Sequence, residues 1–502
     1  MNTQRTRVRG LTLYGLAGSL LILLCSFGVG WLTIDSPLNR WLPVIALRTE
    51  AAGVVVSTVG LTLGCWMLFH AWLRLYLQLR TSQEWTPGAL KVVTRAALLW
   101  SAPQLLAAPI FSRDVFAYLN QGRLVLMGED PYQVGVSQLE NWFQLGTDVT
   151  WAENETPYGP VFLWIAAGIM QLSGAHHDLA VLLFRVVCAA GVVMLMIWVP
   201  KLASHCGTEP AYAQWLTVAN PLLIISFVSS AHNDALMMGC ALAGIWAALQ
   251  GRGVLAAVLV ALSIGIKPIT LLLLPFVGLL WAAHRGDLPL TWRRRVVYWA
   301  GTAGVSGALL LIVGVIQGYG FGWVGVMSGT GDGHVLWAPV GLLHGLISVV
   351  LMPFGLDGDW SLELLRTVGR LVSVIVVLVL ILRGDDRRIL HRMMWAFTAV
   401  VVLSPVIQPW YLLWLLPLFA VTGIRPGKPL ALVVAVSAFF LAYGAADQLF
   451  VYQFIDLQAE MIVVSAVVSV LCLTALAVLD KPVRSIVWEP EEPRRKQERR
   501  AR

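Results

Sequence analysis

The chain has 502 residues, of which 58% are hydrophobic and 13% charged, where soluble domains carry roughly 25% charged residues. Mean hydropathy is +0.74, and apolar runs of about 20 residues, enough to cross a bilayer, recur throughout; a soluble globular enzyme is excluded. The formal net charge of +7 sits in short basic clusters between apolar runs, the pattern of cytoplasmic loops and not of a nucleic-acid surface.

The fold class predicted is all-α and polytopic, because only helices satisfy their own backbone polar groups in lipid. The first apolar run, 11–33, follows Arg5, Arg7 and Arg9. It is too long for a signal-peptide core and lacks a small-residue cleavage site, so it reads as a first span with the N-terminus inside. Segments 51–73 and 90–111 come next, with Arg74, Arg80 and Lys91 placing their connection on the cytoplasmic side. The stretch 112–157 is then the first long outer loop, carrying Asp114, Glu129, Asp130, Glu140, Asp148, Glu153 and Glu155.

Spans are predicted at 158–174 and 178–200. The region 210–284 is broken at Asn220-Pro221 and Lys267-Pro268. Arg293 to Arg295, the run from Arg383 to Arg392, Arg425 with Lys428, and the tail after Asp480 mark further inner segments. Spans 296–317 and 361–382 therefore bracket a second outer loop, 318–360, whose apolar piece 336–354 lies flat or re-enters. Two short helices flank an outer turn at Ser404 to Pro409, and spans 429–446 and 457–479 follow. The total is about 14 crossings with both termini cytoplasmic. Residues 1–480 form one transmembrane domain, and 481–502 a basic tail expected to be disordered. The six cysteines show no CxxC spacing, and five lie in apolar runs, as small buried side chains do.

Polar residues stand out against this background. Residues 112–128 are expected to form an amphipathic helix at the outer interface with Ser112 as N-cap. Asp114, Tyr118 and Gln121 fall on one face, and Val115, Leu119 and Val125 on another. A plain linker helix capped by Arg113 and Asp114 has the same pattern. The turn through Gly128, Glu129, Asp130, Pro131 and Tyr132 closes this element. In Thr156-Pro157-Tyr158-Gly159-Pro160, Pro160 suits a helix start and Tyr158 an interfacial position.

Asn220-Pro221 and His232-Asn233-Asp234 put polar groups between apolar runs, where they mark function or cap loops. Lys267, inside the apolar run 264–276, must find an anion, form an internal salt bridge or snorkel. Gln408, Trp410 and Tyr411, with Trp414 one turn on, are belt residues or walls for a sugar. Asp332 and His334 are weaker candidates in the second outer loop. No metal motif and no nucleotide-binding loop is present in the sequence.

The stretches SRDVFAYLNQGRLVLMGEDPY (112–132), TPYGP (156–160), NPLLIISFVSSAHNDALM (220–237), IKP (266–268) and SPVIQPWYLLWLLP (404–417) resemble the polyprenol-phosphate-mannose-dependent α-(1→6)-mannosyltransferase family. These are integral-membrane GT-C glycosyltransferases associated with lipomannan-type lipoglycans of the cell envelope. The resemblance covers nearly the whole chain apart from the basic tail. It implies a GT-C-type helical bundle in the plasma membrane, a polyprenyl-phosphate-mannose donor, a mannosylated lipoglycan acceptor and an active site facing outside. It also implies Asp114 as catalytic base, direct displacement with inversion, and no metal or other cofactor.

An aspartate is ionised at neutral pH and can take the acceptor's proton, while Arg113 and Lys267 are candidates to meet the phosphate's developing charge. Tyr118, Gln121, Asp130, Tyr132, Tyr158, His232, Asn233, Asp234, His334, Gln408, Trp410 and Tyr411 are the substrate-binding candidates. Residue spacing does not tell mannose from glucose or arabinose. A transporter or flippase is the alternative class, but such proteins pair helix breaks in two matching halves, and the polar residues here concentrate in one early outer loop.

Overall fold

The structure, a computed structural model, describes residues 2–81, 84–327, 334–424, 426–449 and 456–488. Asp332, Arg425 and the tail Glu489–Arg502 lie outside the described residues. In chain order the main helices are α1 (Asn2–Val29), α2 (Ala51–Leu79), α3 (Ala89–Ser101), α4 (Asp114–Leu126), α5 (Pro160–Ser173), α6 (His177–His205), α7 (Pro210–Leu216) and α8 (Pro221–Ser229). There follow α9 (Asp234–Leu249), α10 (Gly253–Ile266), α11 (Pro268–His284), α12 (Trp292–Gln317), α13 (Pro339–Phe354) and α14 (Asp359–Leu382). The last are α15 (Ile389–Val402), α16 (Pro409–Thr422), α17 (Lys428–Asp447), α18 (Gln458–Leu479) and α19 (Lys481–Trp488). Among the described residues the only strand pairing is a two-residue bridge, Arg80–Thr81 with Glu84–Trp85.

The all-α polytopic class is therefore what the structure shows, but the apolar segments are not uniform. Among the described residues seven helices, α1, α2, α6, α12, α14, α17 and α18, are long and apolar enough to cross a membrane. The pair α7–α8, bent by 52°, makes an eighth span if counted as one, and α5, α9, α10, α11, α13 and α16 are shorter apolar helices. The long helices α14 and α18 are peripheral, with only 11% of their apolar windows buried. Among the short helices α13 is also largely exposed, whereas α9 is buried from Asp234 to Ala248 save for Leu236 and Trp246.

Proline explains the interior breaks. The residue before a proline is pushed out of the helical region into extended geometry. Asn220, Lys267 and Gln408, each preceding a proline, are all extended. Each break frees a polar side chain inside the bundle. The expected span 90–111 is also cut short, with Ala102 still helical before Pro103: α3 ends at Ser101 and a single 3-10 turn, Pro103–Leu105, follows.

Two expectations need correction. The helix predicted over 112–128 exists as α4, but it is not a surface helix: residues 115–122 and Leu124 are all buried. Asn120 and Arg123 face a loop instead of water. Asn120 Nδ2 donates to the Trp142 carbonyl and to Thr147 Oγ1, and Arg123 Nη2 to the Glu140 carbonyl. The second concerns the tail, whose first eight residues form the helix α19, packed against α17, α18 and α2.

Polar contacts between apolar helices fasten the bundle, as bilayer packing requires. Trp72 of α2 and Trp215 of α7 stack at 4.7 Å and each donates its indole N–H to the other's carbonyl at 2.8 Å. The late helix α18 returns to α2, where Thr62 Oγ1 meets Ser465 Oγ at 3.3 Å and Trp66 Nε1 donates to Ser469 Oγ at 3.0 Å. Just beyond, His70 and Arg74 of α2 both hold Asp480.

Candidate active site

Three irregular segments deliver the polar side chains to one place. In the first, Phe111 adopts φ 64°, the left-handed region that costs a non-glycine residue on the order of 1–2 kcal/mol. The chain then bends so that Asp114 opens α4. Ser112 is not the formal N-cap, a position held by Arg113, yet its Oγ still accepts the Asp114 N–H at 3.2 Å.

The second segment ends α8 in a π-helical turn, Ile224–Ser229, a distortion common at functional sites. Arg185 of α6, buried, donates Nε and Nη2 to the Ser229 carbonyl at 3.1 and 2.8 Å, placing a cation at a helix C-terminus. Ala231 then takes φ 56° and presents His232, and Asp234 opens α9. Ser230 Oγ donates to the Ile110 carbonyl, so the two strained segments are tied together. Backbone strain of this kind persists where its surroundings enforce it, typically at sites of function. The third segment is the α10–α11 break, which turns the Lys267 side chain inward.

The side chains meet in a row that runs Asp114, His232, Asp234, Lys267. Asp114 Oδ2 lies 3.4 Å from His232 Nδ1, and that nitrogen lies 3.7 Å from Asp234 Oδ2. Asp234 Oδ1 accepts from Lys267 Nζ at 2.9 Å and from Trp414 Nε1 at 2.6 Å. Aromatic rings wall the row. Trp410 lies over His232 with centroids 3.8 Å apart, Tyr411 stacks on Trp414 at 4.0 Å, and Tyr118 meets Tyr158 edge-on at 5.1 Å. Lys267 Nζ stands 5.2 to 5.8 Å from the Trp414, Tyr158 and Tyr411 rings. His232, Asn233 and Asp234 are fully buried. The Asp114 and Lys267 side chains keep 15% and 12% of their exposure, which makes them the open side.

Many polar atoms here are buried with no hydrogen-bond partner: both ring nitrogens of His232, Asn233 Nδ2, Asp234 Oδ2, Trp410 Nε1 and Gln121 Oε1. Each such group costs on the order of 1–3 kcal/mol. Native interiors leave few such groups, and these lie close together beside Asp114.

Geometry thus gathers Asp114, Tyr118, Tyr158, His232, Asn233, Asp234, Lys267, Trp410 and Tyr411, with Gln121 two turns along α4. Other candidates stand elsewhere. Arg113 points away: its Nε, Nη2 and Nη1 reach the Gly146 carbonyl, the Thr147 carbonyl and Asp148, and its guanidinium lies 3.8 Å over Trp31. It anchors the loop that carries Gly146, Thr147 and Asp148 and is not placed as a phosphate ligand. Asp130 shapes its own turn, accepting from the Tyr132 N–H and from Gln133 Nε2.

Tyr132 donates to the Tyr158 carbonyl at 3.0 Å, bracing Tyr158 from behind. Gln408 caps the start of α16 through its carbonyl, which accepts the Tyr411 N–H. His334 is exposed and packs edge-on against His344. Its segment is pinned to the turn before α16 by Val335 N–H to the Pro405 carbonyl and Trp337 Nε1 to the Ile407 carbonyl. Sequence reasoning missed Trp414 as the second donor to Asp234 and Arg185 as the clamp on α8. An arginine inside the apolar run 178–200 was the available signal for the latter.

The backbone beside Lys267 depends on a glycine. Gly159 donates its N–H to the Ile266 carbonyl at 3.1 Å, and a Cβ there would sit 2.5 Å from the Gly265 carbonyl oxygen. Gly159→Ala should push the Lys267 break aside and lower turnover at least tenfold, given that misplacement by about 1 Å can cost a factor of a hundred. Initial rates on purified protein check this, and unchanged rates would show the close approach to be dispensable.

Residues 12–283 match the family model described as alpha-(1->6)-mannopyranosyltransferase, N-terminal domain, and residues 338–475 match the MptB C-terminal domain. The chain belongs to the α-(1→6)-mannopyranosyltransferase family. It is 31% identical to a probable alpha-(1->6)-mannopyranosyltransferase of Mycolicibacterium smegmatis, over 98% of this chain and 92% of that one. Alpha-(1->6)-mannopyranosyltransferase A of Mycobacterium tuberculosis is 31% identical over 80% of this chain and 78% of its own. Alpha-(1->6)-mannopyranosyltransferase B of Corynebacterium glutamicum is 28% identical over 81% and 72%. No solved structure matches the chain. In this mannopyranosyltransferase-family chain the site draws on both matched segments. The charged row, Asp114 to Lys267, falls in the first, and the aromatic wall of Trp410, Tyr411 and Trp414 in the second.

Proposed function

We propose that this chain transfers mannose from a polyprenyl-phosphate-mannose donor to an α-(1→6)-mannan chain of a lipomannan-type lipoglycan, at the outer face of the plasma membrane. The observation that carries the reading is Asp114 at the open edge of a buried polar row whose unused donors and acceptors are walled by aromatic rings. Sugars are recognised by just these means: hydroxyls meet buried polar groups, and the apolar face of the ring lies on aromatic side chains. A hydroxyl sits well in such a pocket because the alternative leaves those groups unpaired.

In the proposed reaction Asp114 accepts the proton of the acceptor hydroxyl as its oxygen attacks the anomeric carbon. The bond from that carbon to the phosphate oxygen breaks, and polyprenyl phosphate leaves, so the configuration inverts. Lys267 supplies positive charge for the departing phosphate; an ammonium has three N–H donors, and Asp234 engages one. His232 stands between the two carboxylates, 3.4 Å from Asp114 and 3.7 Å from Asp234. A donor built on a lipid fits a site enclosed by apolar helices. Orientation follows from α12, whose far end meets the site where Gln317 Nε2 donates to the Pro160 carbonyl, while its near end carries Arg293, Arg294 and Arg295. By the positive-inside rule the arginine end is cytoplasmic and Asp114 faces out.

The test is to incubate purified protein with radiolabelled polyprenyl-phosphate mannose, polyprenyl-phosphate glucose or GDP-mannose and an α-(1→6)-oligomannoside, then to determine the product linkage. Transfer only from the mannosyl lipid with a new α-(1→6) bond is expected. Transfer from GDP-mannose alone would sink the reading, and transfer from the glucosyl lipid would keep the mechanism while changing the sugar. A monophosphate leaving group whose charge Lys267 meets needs no divalent ion, so activity should survive EDTA. Activity lost to EDTA and restored by magnesium or manganese would refute that.

A further inference from the structure

At the opposite end of α12 from Asp114, buried charges do not balance. Asp386 is buried and fully engaged: Arg295 Nη2 forks across both its oxygens at 2.7 Å, Arg392 Nη1 reaches Oδ1 at 3.2 Å, and the Leu290 N–H reaches Oδ2 at 2.8 Å. Two buried guanidiniums thus share one buried carboxylate. Arg392 has a second source of compensation, since its Nε and Nη2 donate to the Leu380 and Ile381 carbonyls at the C-terminal end of α14, where a helix presents negative charge.

Arg295 has the reverse environment. It lies in the first turns of α12, directly after Arg293 and Arg294, where the helix dipole is itself positive. Its Nε makes a 3.4 Å contact with the Leu290 carbonyl, while its Nη1 is buried with no hydrogen-bond partner. Arg295 is thus paired with Asp386 through Nη2 but keeps one buried donor unsatisfied, which is unfavourable.

Arg295 lines a cavity of about 270 Å³ bounded also by Leu288, Pro289, Asp385, Asp386 and Arg387, against the roughly 30 Å³ that one water occupies. The cavity opens at the exposed Arg387, Leu288 and Pro289. Asp385, whose Oδ1 accepts the Arg387 N–H at 2.9 Å, adds a second carboxylate, so the cluster sets Arg295, Arg387 and Arg392 against two acids. We propose that this cavity is a second ligand site, separate from the Asp114 row, which binds a phosphate group through Arg295 and Arg387. The ligand is the headgroup of an anionic phospholipid of the inner leaflet. The arginine-rich end is the cytoplasmic one by charge, and basic pockets between helices on that side hold such headgroups. The apolar Leu288 and Pro289 rim gives the glycerol and acyl portion a surface to lie on.

The experiment measures the melting temperature of the purified full chain in detergent. The titrants are short-chain phosphatidylglycerol, short-chain phosphatidylcholine and inorganic phosphate. Phosphatidylglycerol should raise the melting temperature by about 2 °C or more and phosphatidylcholine should not. Arg387→Gln, at an exposed position, should leave the lipid-free value unchanged and remove at least half of the shift. Arg295→Lys, which keeps the charge on Asp386 but removes the Nη1 donor, should remove most of it. If Arg295→Lys does not fold, Arg387→Gln decides alone. An equal shift with phosphatidylcholine, or a full shift in the arginine variants, overturns the site. An arginine-dependent shift with inorganic phosphate matching that of the lipid keeps the phosphate site and rejects the lipid as its source.

Discussion

Asp114→Asn should abolish mannosyl transfer while the protein still inserts and folds. The amide has the carboxylate's shape and keeps an oxygen toward His232, but it cannot take a proton, and a positioned general base contributes on the order of 10²–10⁴ in rate. Asp234 remains 3.7 Å from His232, so the imidazole keeps a carboxylate neighbour and the fold loses little. Turnover below about one hundredth of wild type, with an unchanged melting temperature, is the expected pair of results. Turnover near that of the unmodified chain would remove Asp114 from the mechanism.

The largest stability effect should come from Asp234→Ala. Asp234 is fully buried and accepts from both Lys267 and Trp414. Its removal leaves an ammonium and an indole N–H without their acceptor, and breaking a buried pair from one side costs about 3–5 kcal/mol. Lys267→Met in the same chain removes the stranded charge, so the double variant should recover most of the lost melting temperature while remaining inactive. If the double variant melts no higher than Asp234→Ala alone, the pair is not the stabilising contact. Lys267→Met by itself should raise the donor KM, because the charge facing the leaving phosphate is gone; an unaltered KM would reduce Lys267 to a structural role.

The helical membrane bundle was legible because hydropathy and the backbone's need for internal hydrogen bonds leave no other architecture. The breaks were legible too, since Pro221, Pro268 and Pro409 announce them. What the sequence could not say is what the breaks bring together. Asp114, His232, Lys267 and Trp414 lie on four separate stretches of chain, and nothing local pairs them. The setting of α4 was misread for a physical reason. A polar stripe on a helix looks the same whether it faces water or a loop's buried carbonyls, and Asn120 and Arg123 face the loop. Arg113 illustrates the same blindness, because carbonyls of Gly146 and Thr147 satisfy it and any residue could supply them. Phe111 and Ala231 gave no warning at all, since nothing in their side chains calls for left-handed backbone.

The return of α18 to α2 bears on how the protein is made. Thr62 and Trp66 emerge from the ribosome 403 residues ahead of the serines that complete their hydrogen bonds. At translation speeds of 5–20 residues per second, that is a wait on the order of 20–80 s. His70 and Arg74, which wait for Asp480, are delayed for as long. During biogenesis one face of an early span must therefore be tolerated by lipid or shielded by the insertion machinery. A nascent chain stalled before residue 458 would carry that face uncovered, making it a natural mark for membrane quality control.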